Sequence, residues 1–141
     1  MARRDVFIDH LQQAALFKGC SRKDLQGVAR RSEDRRVESG TTIVTEGEPG
    51  NEFFVIIEGT ARVSRQGRKV TTLEPGSGFG ELALLGKAPR NATVVAETDM
   101  EVVVLGERDF AELLDELPGF ALRMLRNTAR RLREADSRTI Q

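Results

Sequence analysis

One carboxylate, Glu81, and one guanidinium, Arg90, stand nine residues apart in Phe79-Gly80-Glu81-Leu82-Ala83-Leu84-Leu85-Gly86-Lys87-Ala88-Pro89-Arg90-Asn91-Ala92-Thr93-Val94. The pair suits a ligand that carries one free hydroxyl and one phosphate charge. An ionised carboxylate accepts a charge-assisted hydrogen bond from the hydroxyl, and a planar guanidinium offers a fork of N–H donors to the phosphate. Gly80 lets the backbone approach such a ligand with no side chain in the way. The segment 80–85 is too short for a core helix and long enough for one or two turns. Free amides at the start of those turns, near Leu82 and Ala83, would point at an anion.

This run resembles the phosphate-binding cassette of the cyclic nucleotide-binding domain family, which includes regulatory subunits of cAMP-dependent protein kinase, bacterial catabolite activators and nucleotide-gated channels. The pattern F-G-E-L-A-L followed by P-R-x-A-T-V is matched with no gap between Glu81 and Arg90. Glu46-Gly47-Glu48-Pro49-Gly50-Asn51-Glu52-Phe53-Phe54-Val55-Ile56-Ile57-Glu58-Gly59 resembles a second segment of the family. Phe17-Lys18-Gly19-Cys20-Ser21-Arg22-Lys23-Asp24-Leu25 resembles its N-terminal helical segment. Three such segments in family order extend the resemblance from about Phe7 to about Leu132.

The resemblance implies that the ligand is a cyclic nucleotide. Glu81 would take the ribose 2′-OH and Arg90 the cyclic phosphate, with Gly80, Leu82, Ala83, Asn91 and Ala92 completing the ligand site. Family members that prefer cGMP usually carry Thr after the phosphate-binding Arg, and those that prefer cAMP often carry Ala or Ser. Asn91 matches neither. The absence of Thr favours cAMP, with cGMP as the alternative. Aligning Ala129-Arg130-Arg131-Leu132 with the matching run of catabolite activators puts Ala135 and Asp136 where that group places adenine-reading hydroxyls. Asp136 can accept from the adenine amino group; its competing reading is a solvated residue on a fraying terminus.

Composition sets the class. A chain of 141 residues with 39% hydrophobic and 31% charged residues fits one globular domain, 1–141. No apolar run reaches membrane-spanning length, and no h-region follows the basic start, so neither a membrane role nor secretion is expected. The one cysteine, Cys20, cannot close an internal disulfide, which points to a reducing, cytoplasmic setting. Cys20 reads as a packing residue. The formal net charge of zero is unevenly spread: 9 Lys and Arg against 6 Asp and Glu in 1–40, 7 against 14 in 41–118, and 6 against 2 in 119–141. Basic ends and an acidic middle suit self-association or an acidic partner, or are simply solvated helix faces.

The elements that must position Glu81 and Arg90 are legible in the periodicity. Helical spacing is expected over 4–16, and over 21–32 with Ser21 and Asp24 as a capping box and Leu25, Val28 and Ala29 buried. Short β-rich runs follow at Thr41–Thr45, Glu52–Glu58, Thr60–Arg65, Lys69–Leu73, Ala92–Ala96 and Met100–Leu105, separated by glycine turns. Such spacing predicts an α+β fold built on an antiparallel β-roll, a double-sheet jelly roll. The expected divisions are N-terminal helices in 1–36, the β-roll in 37–106 with the phosphate-binding cassette 79–94 and its short helix, and C-terminal helices in 107–141. In the last helix, 119–136, Leu122, Leu125, Ala129 and Leu132 follow a heptad-like 3-4-3 spacing. That seam fits a homodimer or packing on the chain's own β-roll.

Catalysis is not expected. A metal-dependent jelly roll needs several His converging with a carboxylate, and this chain has one, His10, in the N-terminal part. A Ser-His-Asp or Cys-His arrangement cannot be built from that single remote His. No metal is therefore expected. The six Arg after 119 lack interleaved aromatics and any recognition-helix context, so no specific nucleic-acid binding is expected. The sequence reads as a stand-alone sensor that passes its signal through the last helix to an unidentified effector protein or to a second copy. The alternative is a ligand-independent dimerisation or protein-interaction module that keeps the fold. An ion pair between Glu81 and Arg90 is the competing structural reading of those two residues.

Overall fold

The computed structural model describes residues 2–13, 17, 19–80, 83–84, 88–126, 129 and 133. Two helices come first, α1 (Ala2–Gln13) and α2 (Arg22–Arg31). Eight strands follow: β1 (Glu33–Val37), β2 (Thr42–Val44), β3 (Glu52–Glu58), β4 (Ala61–Arg65), β5 (Arg68–Leu73), β6 (Gly78–Phe79), β7 (Thr93–Ala96) and β8 (Met100–Gly106). Helix α3 (Glu107–Glu116) and a helical run at 118–126, α4, come last.

The start of α2 follows from its capping box. The Ser21 hydroxyl accepts from the Asp24 amide at 3.1 Å, and the Asp24 carboxylate accepts from the Ser21 amide at 3.3 Å. Two amides that the first turn leaves unpaired are thereby satisfied. Leu25, Val28 and Ala29 are buried on its inner face.

The strands form two antiparallel four-stranded sheets, ordered β1-β8-β3-β6 and β2-β7-β4-β5. This is the double-sheet β-roll. The central strand β3 reads Glu-Phe-Phe-Val-Ile-Ile-Glu with five consecutive buried residues, because both of its faces are covered. Phe53, Val55 and Ile57 face the helices and join Leu25, Phe110, Leu113 and Phe120 in one core. Phe54 and Ile56 face the second sheet and join Phe79, Val94, Val102 and Val104 in the other. Alternating side chains feed the two cores from one strand.

Strand β1 differs from the sequence expectation. The residue-36 boundary groups Glu33–Arg36 with the helices, whereas they pair with β8 from Glu33↔Val104 to Val37↔Met100. The run Glu-Asp-Arg-Arg has no apolar alternation to mark it as a strand. Its position at the sheet edge and its ion pairs make the strand viable. Arg35 meets Glu33 at 3.0 Å and Glu52 at 3.1 Å. Strand β6 was also absent from the expected runs; at two residues it carries no period of its own.

Helix α3 packs Phe110 and Leu113 on β3 and β8, with Phe110 5.1 Å from Phe53 between ring centroids. Arg31 at the end of α2 reaches Glu116 at 2.7 Å and Glu112 at 3.4 Å, tying α2 to α3. In α4, Phe120 stacks on Phe17 at 5.3 Å and Met124 is buried, while Leu122 and Leu125 remain 47% and 66% exposed. Phe120 and Met124, rather than Leu122 and Leu125 of the expected seam, are what α4 packs on its own chain, and Leu132 of that seam lies outside the described residues. Cys20 lies half-buried against the same core, and Arg123 Nη2 donates to its Sγ at 3.0 Å. Burial pushes the Cys20 thiol pKa up, against the opposing charge of Arg123.

Candidate functional site

Arg90 lies on the loop that follows Pro89 and precedes β7. Among the described residues it is the only charged side chain buried from solvent, at 7% exposure. A buried guanidinium needs partners for its donors. Arg90 Nη2 donates to the Glu52 carbonyl at 2.9 Å, and Nη1 donates to the Gly80 carbonyl at 3.1 Å. The guanidinium carbon stands 5.9 Å from the centroid of the Phe54 ring. Phe54 itself pairs with Phe79 across β3 and β6, the rings stacked at 4.9 Å.

The arm that carries Arg90 is held by the loop before β3. The Arg90 amide donates to the Glu48 carbonyl at 2.8 Å, and the Gly47 amide donates to the Arg90 carbonyl at 2.8 Å. This reciprocal pair fixes the backbone at the root of the side chain. Gly50 fills the remaining contact by having no Cβ: a Cβ there would land on Arg90 Nε and Cζ. Gly80 has φ +99, a region that favours glycine, and a Cβ on it would stand 2.7 Å from Arg90 Nη1 and 2.9 Å from the Glu52 carbonyl. Both glycines are therefore spaces that the guanidinium uses.

Glu52 is braced from below. Its carboxylate pairs with Arg35 of β1, and the Glu33 and Glu52 carboxylates raise the Arg35 pKa above its ordinary value. An unexpected strand thus supports the carbonyl that takes Arg90. In the sequence, Glu46–Gly59 carries a family resemblance but no expected site residue. The signal was the pair Gly47 and Gly50 in a loop of alternating Glu and Gly, which reads equally well as ordinary turn chemistry.

The other expected ligand residues fall as follows. Ala83 and Leu84 are helical and buried, with Leu84 in the helix-side core. Ala92 is buried, and Asn91 is exposed, its carbonyl accepting from Arg65 Nε at 3.0 Å. Thr93 Oγ1 accepts from the Glu46 amide at 3.0 Å. Glu81 and Leu82, and the expected purine contacts Ala135 and Asp136, lie outside the described residues. The structure therefore brings Gly80 and Arg90 together beside Phe54 and Phe79, with Ala92 buried two residues further along the Arg90 loop. Among the described residues, no group of three or more His, Cys, Asp or Glu could hold a metal ion, and no helix is long and apolar enough to cross a membrane.

Comparison with known proteins bears on the same segments. The family model described as cyclic nucleotide-binding domain matches residues 34–116. A cAMP-dependent protein kinase regulatory subunit of Yarrowia lipolytica is 36% identical over 114 residues, covering 79% of this chain and 30% of that protein. A regulatory subunit of the same kinase from Mycosarcoma maydis is 37% identical over 135 residues, covering 89% of this chain and 26% of that protein. The chain thus spans less than a third of the length of these relatives. Among solved structures, Thermus thermophilus catabolite activator protein is similar with a TM-score of 0.83 at 31% identity, covering 89% of this chain and 62% of that one. A PKAR CBD2 with Sp-2Cl-cAMPS bound has a TM-score of 0.81 at 31% identity, covering 96% of this chain and 92% of that one.

Proposed function

Because the chain belongs to the cyclic nucleotide-binding domain family, we propose that it is a regulatory sensor of a cyclic nucleotide, cAMP in preference to cGMP. The observation that carries this reading is Arg90. It is a buried cation whose side chain and arm are fixed by Glu52, Gly80, Glu48 and Gly47. Fixed donors of this kind suit a single phosphate charge, because little ordering is left to be done on binding. Arg90 takes the cyclic phosphate in this reading. Glu81 takes the ribose 2′-OH, and Gly80, Leu82, Ala83, Asn91 and Ala92 line the site.

The preference for cAMP rests on the absence of Thr at position 91 and on relatives named as cAMP-dependent. Asp136 and Ala135 are proposed purine contacts. The 1–141 domain works without metal and without catalysis: it binds ligand and changes the position of its C-terminal helix. A ligand drives such a change only through tighter contacts in one state. The exposed Leu122 and Leu125 on α4, with the exposed Ala129 beyond it, are the surface we assign to a second copy of the chain or to an effector protein.

Titration calorimetry with cAMP and cGMP tests the reading. Binding of cAMP with higher affinity than cGMP is the expected result. Saturation with neither nucleotide overturns the sensor reading and leaves an interaction module with the same fold. A salt-resistant footprint on one DNA sequence would overturn the expectation of no specific nucleic-acid partner.

A further inference from the structure

The β4–β5 hairpin lies outside the residues assigned to the ligand, yet its tip touches both loops that hold Arg90. Its turn has Gln66 at φ 53 and Gly67 at φ 78, two consecutive positive values that fit the tight hairpin turn matching strand twist. That geometry presents the Gln66 amide outward, where it donates to Glu46 Oε1 at 2.9 Å. The Glu46 amide in turn donates to Thr93 Oγ1 at 3.0 Å. One residue before the turn, Arg65 Nε donates to the Asn91 carbonyl at 3.0 Å. Asn91 follows Arg90 directly, so the carbonyl that Arg65 holds belongs to the arm that carries the guanidinium.

We infer that Arg65 is a positioning residue for the phosphate site: its Nε–H fixes the Asn91 carbonyl, and through it the backbone of Arg90. This deepens the reading of Arg90 as the phosphate ligand and rests on it. The contact that Arg65 makes with the site is this Nε–H bond to the arm. The geometry assigns the effect to one hydrogen bond rather than to charge. Without that bond the arm keeps Gly47 and Glu48 on one side and loses its tether on the other. The Arg90 backbone then samples more conformations, and ligand binding must reorder it.

Two substitutions separate bond from charge. Arg65→Gln keeps an N–H donor at the same number of bonds from Cα as Arg Nε and removes the charge. Arg65→Met keeps an unbranched stem and removes the donor. The first readout needs no nucleotide: hydrogen exchange at the Gly47 and Arg90 amides, which bond across the two loops. Arg65→Met should raise their exchange several-fold while core strand amides of β3 and β8 are unchanged, and Arg65→Gln should resemble wild type. The second readout is cAMP affinity by calorimetry, expected to fall about three- to tenfold for Arg65→Met, the loss of one exposed hydrogen bond, and less than twofold for Arg65→Gln.

The inference is overturned if Arg65→Met exchanges like wild type at both amides, or if exchange rises equally throughout the chain. It is also overturned if Arg65→Gln behaves like Arg65→Met, which would make charge the cause, or if Arg65→Met binds cAMP as tightly as wild type. Should the wild-type protein bind no cyclic nucleotide, the sensor reading fails on its own, and the exchange pattern still decides whether Arg65 holds the arm.

Discussion

Arg90 donates to the backbone carbonyl of Glu52 at 2.9 Å, a bond between residues 38 positions apart in the chain. The guanidinium is thus a strut between the start of β3 and the loop ahead of β7. In the sequence, the partner that offers itself to this cation within the protein is Glu81. The structure gives it two carbonyl acceptors, and this changes what its removal should do.

Arg90→Leu is expected to damage both binding and stability. Loss of one partner of a buried charge interaction costs about 2–5 kcal/mol, or roughly 30- to 4,000-fold in cAMP affinity. Stranding the Glu52 and Gly80 carbonyls should lower the unfolding free energy by about 1–3 kcal/mol. Calorimetry and urea unfolding measure the two effects. A variant that binds cAMP within threefold of wild type removes Arg90 from the phosphate site.

Gly50→Ala tests the same site without touching the guanidinium. Gly50 is not among the residues with positive φ, so alanine suits its backbone. The added methyl nevertheless falls on Arg90 Nε and Cζ and must push the side chain off its two acceptors. We expect at least a tenfold loss of cAMP affinity, about 1.4 kcal/mol or more, with the far-ultraviolet circular dichroism of wild type. Unchanged affinity would mean that the guanidinium can bind phosphate from another position.

Glu81→Ala removes a hydrogen bond to a charged acceptor, worth about 1.5–3 kcal/mol. The loss should disappear when the ligand is 2′-deoxy-cAMP, which lacks the partner hydroxyl. Equal binding of cAMP and its 2′-deoxy analogue by the wild-type protein would give Glu81 another role.

Glu101 should make stability depend on pH. Burial raises its carboxyl pKa, and Asp34 and the Glu58 charge act in the same direction, against Arg36. A raised folded pKa means that the native state holds a proton that the unfolded chain has released. Stability therefore falls as pH rises from the ordinary carboxylate range through the folded pKa. Glu101→Gln should stabilise the protein at neutral pH and leave it unchanged at a pH low enough to protonate the carboxyl in both states. Urea midpoints at the two pH values check the sign; a variant less stable than wild type at neutral pH contradicts it.

Selectivity is tested at Asp136. If its carboxylate accepts from the adenine amino group, Asp136→Ala should lower the cAMP to cGMP affinity ratio several-fold in calorimetry. An unchanged ratio rejects the role and returns selectivity to Asn91.

The sequence by itself determined the β-roll and its flanking helices. Those features rest on local signals: the Ser21–Asp24 box, the alternation and glycine punctuation of the strands, and the apolar faces of α2 and α3. It also singled out Arg90, because a guanidinium nine residues after the Glu81 carboxylate lies in a run that resembles the phosphate-binding cassette of the family. Strand β1 was illegible, since a charged edge strand has no hydrophobic period and is stabilised by Glu52 and β8 from elsewhere in the chain. Which residues of α4 face the core was also undetermined. The Leu spacing and the Phe120–Met124 pair both have helical period, and only the packing of Phe120 on Phe17 separates them. The cradle of Arg90 was decided by tertiary structure alone. Its acceptors are backbone carbonyls of Glu52 and Gly80, its space comes from a missing Cβ at Gly50, and its arm is held by Gly47, Glu48 and Arg65. Backbone groups are common to every residue type, so no side-chain pattern announces which carbonyl a guanidinium will find until the loops are brought together.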